Sequence, residues 1–163
     1  MKKTFLPVLS AALLLMIGCS SPEGNSSENL PQVKVQEYDE MLAKELGADD
    51  YGMRQYVIAF LKAGPNQSQD STRAAELQRA HLDNIRRLAE EGKLVLAGPF
   101  MDNGDMRGLY VFDVKTVEEA RDLTATDPAV EAGRLVMELR PWYGSAALTK
   151  VNDIHSRISK TNP

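Results

Sequence analysis

Apolar and polar positions recur in two periods along this chain, and the switches between them outline its elements. Gln55–Leu61, QYVIAFL, is β-branched and aromatic and ends at Lys62-Ala63-Gly64-Pro65, so it predicts a strand followed by a turn. The period then lengthens. Ala74, Leu77, His81, Ile85 and Leu88 fall on one stripe of a helix through RAAELQRAHLDNIRRLAEE, with Asp70-Ser71-Thr72 in front to cap it and Gly92 to stop it. Lys93–Ala97 predicts a second strand, closed by Gly98-Pro99. The hairpin-like turn Asp102-Asn103-Gly104-Asp105 leads into a third strand, Met106–Val114. Thr116, with Glu119 three residues on, has the capping-box spacing and opens a second helix that turns Val117, Ala120 and Leu123 inward. It ends near TATDPAVEAG, and Arg134–Arg140 predicts a fourth strand stopped by Pro141-Trp142.

The order is βαββαβ, which predicts an α+β, ferredoxin-like fold with two helices on one face of a four-stranded antiparallel sheet. A sheet with one wet face should alternate, yet Tyr56–Leu61 and Leu109–Phe112 are apolar on both parities. Two helices cover one face only. A second copy of the same sheet is the simplest cover for the other, so the pattern predicts a homodimer.

Outside residues 54–148 the chain changes character. Lys2 and Lys3 precede an apolar stretch too short to span a bilayer, and Leu15-Met16-Ile17-Gly18-Cys19 resembles a bacterial lipobox. Residues 1–18 are therefore expected to be a lipoprotein signal peptide. Cys19, the single cysteine, is the expected lipidation site and excludes an intramolecular disulfide. Ser20 rather than Asp after it resembles the pattern retained at the outer membrane, facing the periplasm. Residues 19–36 begin SSPEGNSSENL after the cysteine and predict a flexible tether. Residues 37–53 hold an accessory helix around EYDEMLAKEL, with Tyr38, Met41, Leu42 and Leu46 at helical spacing. Residues 149–163 are a polar tail containing His155, expected at the surface.

Charge narrows the partners. The formal net charge is -4, and removing residues 1–18 takes away two lysines and no acid, leaving -6. An acidic chain whose one basic pair, Arg86-Arg87, is balanced by Asp83, Glu90 and Glu91 is a poor nucleic-acid binder and predicts a solvated helix face there. No Cys-x-x-Cys-His, second well-placed histidine or Gly-rich nucleotide loop calls for a cofactor, and Gly98-Pro99 is a strand-ending turn. His81 lies on the apolar stripe, where a histidine is commonly a structural, hydrogen-bonded residue. Asp127 precedes Pro128 at a helix end, which is ordinary turn chemistry. The two helices lie side by side, however, so a His81–Asp127 contact is open to them. A carboxylate beside an imidazole fixes its tautomer and stabilises its protonated form, which suits general acid–base work.

The segments HLDNIRRLAEEGKLVLAGPF, TVEEARDLTATDPAVEAGRL and RPWYGSAAL, in that order, resemble the YCII-related family over about Gln55–Leu148. The resemblance implies a ferredoxin-like fold pairing into a dimeric α/β barrel, with His81 and Asp127 matching the family's proposed active-site dyad. Relatives of known activity act on aromatic breakdown products. The lipoprotein leader, the added helix and the extended C-terminus depart from the small founder-type members. Two functions follow: a cofactor-independent enzyme in which His81 moves protons on a small organic molecule and Asp127 orients it, or a non-catalytic ligand-binding or structural lipoprotein. Haem held by a histidine is a third.

Overall fold

In the computed structural model, residues 37–102 and 104–161 are described. The signal segment, the tether and Cys19 lie outside them. Along the described chain, α1 is Glu40–Glu45, β1 Met53–Ala63, α2 Ser71–Glu90, β2 Leu94–Pro99 and β3 Met106–Phe112. They are followed by α3 Val117–Thr124, α4 Pro128–Glu131, β4 Leu135–Ser145, a 3-10 turn Ala146–Lys150 and α5 Val151–Ile158. The strands form one antiparallel sheet in the order β2-β3-β1-β4, the ferredoxin-like arrangement that the element order predicts.

The caps form where the sequence placed them. The Asp70 carboxylate accepts from Arg73 N–H at 2.9 Å and starts α2. Thr116 Oγ1 accepts from Glu119 N–H at 3.1 Å and starts α3, while the Glu119 carboxylate returns to Lys115 N–H at 3.1 Å. With its ends satisfied, α2 lays Leu77, His81, Asn84 and Leu88 against the sheet. Strand period two then sorts the core. Val57, Ala59 and Leu61 of β1 share a face with Tyr110 and Phe112 of β3, and they pack with Leu88, Leu94 and Ala120 beneath the helices. Fully burying a side chain such as Leu88 contributes about 1.5–3 kcal/mol.

The opposite face is apolar too, as the double parity of β1 and β3 requires. Tyr56, Val95 and Val111 form a second buried cluster there, packed by Ile58, Leu109 and Leu148. Leu148 belongs to the 3-10 turn, so the chain covers part of this face itself. The cover is partial: Leu96, Val136 and Trp142 stay more than a third exposed.

Three expectations need correcting. The fourth strand does not stop at Pro141-Trp142 but pairs with β1 out to Ser145, with Pro141 opposite Val57. β4 is an edge strand, and an edge tolerates a residue without an N–H where the missing donor would face outward. β3 ends at Phe112 rather than Val114. The helix at 37–46 shortens to α1, and its apolar positions are not buried: Tyr38 and Met41 are 76% and 81% exposed. Inside the polar tail, Val151–Ile158 is helical, held to β2 by Asn152 Nδ2 donating to Leu94 O at 2.7 Å.

Candidate active site

The site starts from a helix that ends early. α3 stops at Thr124, and Asp127 caps the next short helix, α4, through Oδ1, which accepts from Ala129 N–H at 2.9 Å. The other oxygen, Oδ2, lies 2.6 Å from His81 Nδ1 on α2. Helix punctuation and a histidine partner are therefore not alternatives, because one carboxylate serves both. Asp127 is 0% exposed and His81 8%, so the pair is out of bulk solvent. A buried carboxylate needs such partners, because leaving it unpaired costs several kcal/mol.

On the far side of the imidazole, Tyr110 Oη lies 3.2 Å from His81 Nε2, with the two rings stacked at 20° and 6.1 Å between centroids. An ionised carboxylate only accepts, so the proton between Asp127 and His81 sits on Nδ1. When the imidazole is neutral, the Tyr110 hydroxyl donates to the Nε2 lone pair. Burial, followed by the Asp127 charge, holds the Tyr110 hydroxyl well above the ordinary phenol range, so it stays a neutral donor. Both ring nitrogens of His81 are engaged in hydrogen bonds. Among the described residues no three His, Cys, Asp or Glu side chains converge on a metal position.

A second network positions the first. Arg87 Nη2 donates to Asn84 Oδ1 at 2.8 Å and to Thr126 Oγ1 at 2.9 Å, while the Thr126 hydroxyl donates to Leu123 O at 2.7 Å. Asn84 lies three residues beyond His81 on α2, and Thr126 directly precedes Asp127. The network thus ties the α3–α4 junction to α2 at the point where the dyad must meet. The Arg86-Arg87 pair is correspondingly more than a solvated face. Arg86 pairs with Asp83, but Arg87 bridges two elements. His155 is exposed.

The dyad opens on a cavity of about 540 Å³ where β1 and β2 end and β3 and β4 begin. His81 and Tyr110 line it with Leu61, Ile85, Leu135 and the arginines Arg107 and Arg134. The junction at its rim is tight. Gly64 N–H donates to Arg134 O at 2.8 Å, and a Cβ on Gly64 would fall 2.2 Å from Gly133 O. Only glycine allows the chain leaving β1 to pass this close to the chain entering β4, and Gly133 itself sits at φ +69°. A larger hollow of about 900 Å³ lies at the opposite ends of the strands, between Arg54, Asp113 and Tyr143. It holds no histidine, and Arg54 is already paired with Asp113 at 2.7 Å.

Sequence reasoning found His81 and Asp127 but missed Tyr110, Asn84, Thr126, Arg107 and Arg134. Tyr110 carried a signal. It shares the parity of Phe112 on β3, the face that meets the His81 stripe.

A YCII-related domain model matches residues 55–143. Uncharacterized protein YjpA of Bacillus subtilis (strain 168) is 32% identical over 62 residues, which cover 38% of this chain and 71% of that protein. Among solved structures, 5-chloro-2-hydroxyhydroquinone dehydrochlorinase (TftG) from Burkholderia phenoliruptrix AC1100, in complex with 2,5-dihydroxybenzoquinone, is similar at 21% identity with a TM-score of 0.41. That similarity covers 55% of this chain and 93% of the dehydrochlorinase. The family match runs from β1 through most of β4, more than half of the 163 residues, and takes in His81, Tyr110 and Asp127; the chain belongs to the YCII-related domain family.

Proposed function

We propose that this protein is a cofactor-independent acid–base catalyst acting on a small organic molecule held in the cavity beside His81. The observation that carries the proposal is the buried line Asp127–His81–Tyr110, with bonds of 2.6 Å and 3.2 Å, ending at that cavity. Asp127 takes the Nδ1 proton and so presents Nε2 toward Tyr110 and the cavity. A proton withdrawn from a substrate reaches Nε2 directly once the Tyr110 hydroxyl has turned aside, or through that hydroxyl, which passes its own proton to Nε2 and takes the substrate's. Asp127 stabilises the imidazolium that forms. The proton then returns to another substrate atom or to a leaving group, which is isomerisation or elimination.

A thermal-shift screen of small organic molecules would identify ligands, and deuterium incorporation from D2O at their acidic C–H positions would report proton abstraction. His81→Asn should stop the exchange while binding persists. If no bound molecule exchanges, the protein is a binding lipoprotein instead. One observation favours that second function: Nε2, the nitrogen nearer the cavity, is already occupied by Tyr110.

The same proposal includes where the protein works and in what state. Lipidation of Cys19 after removal of residues 1–18 would anchor it to a membrane, with Ser20 directing it to the outer membrane, facing the periplasm. The helix-free sheet face, with Leu96, Val136 and Trp142 still uncovered by Leu148, would pair with a second copy as a dimeric α/β barrel. No nucleic acid is expected among its partners.

A further inference from the structure

The charge of the cavity runs against the charge of the chain. Acids outnumber bases overall, 23 to 19, yet the residues lining the cavity beside His81 include two arginines, Arg107 and Arg134, and no Asp or Glu. Asp127 is not an ion-pair partner of either, since its two oxygens bond His81 Nδ1 and Ala129 N–H and it does not line the cavity. Other arginines of the domain rest on acids: Arg54 on Asp113, Arg73 on Glu76, Arg87 on Glu91, Arg140 on Glu138. Arg134 donates one N–H to the neutral Gln69 Oε1 at 3.1 Å, and neither it nor Arg107 has a carboxylate partner among the described residues. Arg79 and Arg121 are also unpaired, but they sit on exposed helix surface.

Arg134 is also held where it stands. Its carbonyl accepts from Gly64 N–H and from Gln67 Nε2, both at 2.8 Å, and the contact between Gly64 and Gly133 leaves no room for that backbone to shift. Arg107 comes from the opposite side, at the irregular start of β3 where pairing with β1 slips between Leu61 and Lys62. Leu61, Leu82, Ile85 and Leu135 give the cavity apolar wall, and Gln67 and Gln78 add neutral polar groups to it. A guanidinium fork matches the two oxygens of a carboxylate, and apolar walls match a carbon skeleton.

We propose that the cavity takes a small organic carboxylate, its carboxylate held by Arg107 and Arg134 and its apolar body lying along the wall toward His81 and Tyr110. The assignment deepens the acid–base function and rests on it for the reacting end alone. Two positive charges would also favour a transition state in which negative charge spreads from a deprotonated carbon toward that carboxylate.

Benzoate is the probe, with benzyl alcohol as its neutral counterpart and inorganic phosphate as an anion without an apolar body, each titrated calorimetrically into the purified full chain. Benzoate should bind more tightly than either. Arg107→Gln and Arg134→Gln should each weaken it about tenfold or more, as loss of one charge-assisted bond implies, without changing the affinity for benzyl alcohol. Arg107 is exposed, so its replacement tests the site even where Arg134→Gln disturbs the β4 junction. Arginine-dependent benzoate binding should survive His81→Asn, which separates this site from the acid–base function: lost exchange with retained binding leaves the carboxylate site standing. Benzoate no tighter than benzyl alcohol, an affinity unchanged within about twofold in Arg107→Gln, or phosphate bound equally well would each overturn the proposal.

Discussion

Replacing Asp127 by alanine separates a helix terminator from a histidine partner by the size of the loss. A cap alone would cost about 1 kcal/mol, the worth of the Ala129 N–H bond at 2.9 Å. The structure gives Asp127 a second bond, 2.6 Å to His81 Nδ1, between a carboxylate that is 0% exposed and an imidazole that is 8% exposed. A hydrogen bond to a charged group contributes roughly 1.5–3 kcal/mol, so Asp127→Ala should cost about 2.5–4 kcal/mol in all. Asp127→Asn is subtler, because it has one oxygen where two are needed. If that oxygen stays on Ala129 N–H, the amide nitrogen faces His81 Nδ1 and drives the ring to the opposite tautomer. Tyr110 must then accept rather than donate. Urea denaturation with an unchanged m-value measures the losses, and ring 15N shifts report the tautomer. His81→Ala closes a double-mutant cycle with Asp127→Ala, whose coupling should exceed about 1 kcal/mol. A loss near 1 kcal/mol together with additivity within roughly 0.5 kcal/mol would refute the pairing and return Asp127 to punctuation.

Other consequences are open to direct measurement. Gly64→Ala places a Cβ 2.2 Å from Gly133 O and should lower stability by roughly 1–3 kcal/mol in the same urea assay, where an unchanged midpoint would show that the junction yields. On the helix-free face, hydrogen bonds from Lys62 and then Arg140 hold the Glu138 carboxyl at about 2, below its ordinary 4.5. A depressed carboxyl stabilises the fold above its unfolded value, so this contribution is complete above about 4.5 and is lost as pH falls toward 2. Carbon-13 titration of Glu138 should show the low value, and Lys62→Gln should move it back up. Light scattering on the chain from Pro31 onward should give twice the monomer mass, and a monomer at micromolar concentration would mean that Leu148 and its neighbours suffice as cover. Cys19→Ser should abolish palmitate labelling and release the protein from the membrane fraction, and undiminished labelling would remove Cys19 as the anchor.

The fold was legible because its signals are local. Caps at Asp70 and Thr116, glycine and proline at strand ends, and the shift between periods two and 3.6 each act within a few residues. Where a local rule misled, the neighbours of the segment had overridden it. Pro141 reads as a stop, but as an edge residue opposite Val57 it leaves the β1–β4 ladder running on to Ser145. Tyr38 and Met41 fall at helical spacing and are exposed, since nothing in the sequence can say whether a short helix has a surface to lie on. The candidate site divides along the same line. His81 stood out as a polar residue on an apolar stripe and Asp127 as an acid before a proline, so both were visible as local oddities. Arg107 and Arg134 were not odd in any window: one precedes a glycine in a strand and the other follows one at a turn. Only the sheet order, which sets the start of β3 and the start of β4 on either side of the end of β1, puts them around one cavity. Topology also explains why Asp127 carries two tasks. A carboxylate that caps the start of a helix is fixed by the backbone at one oxygen, so the other can hold His81 steady. For a group that must present one particular ring nitrogen to a substrate, that rigidity is the useful property.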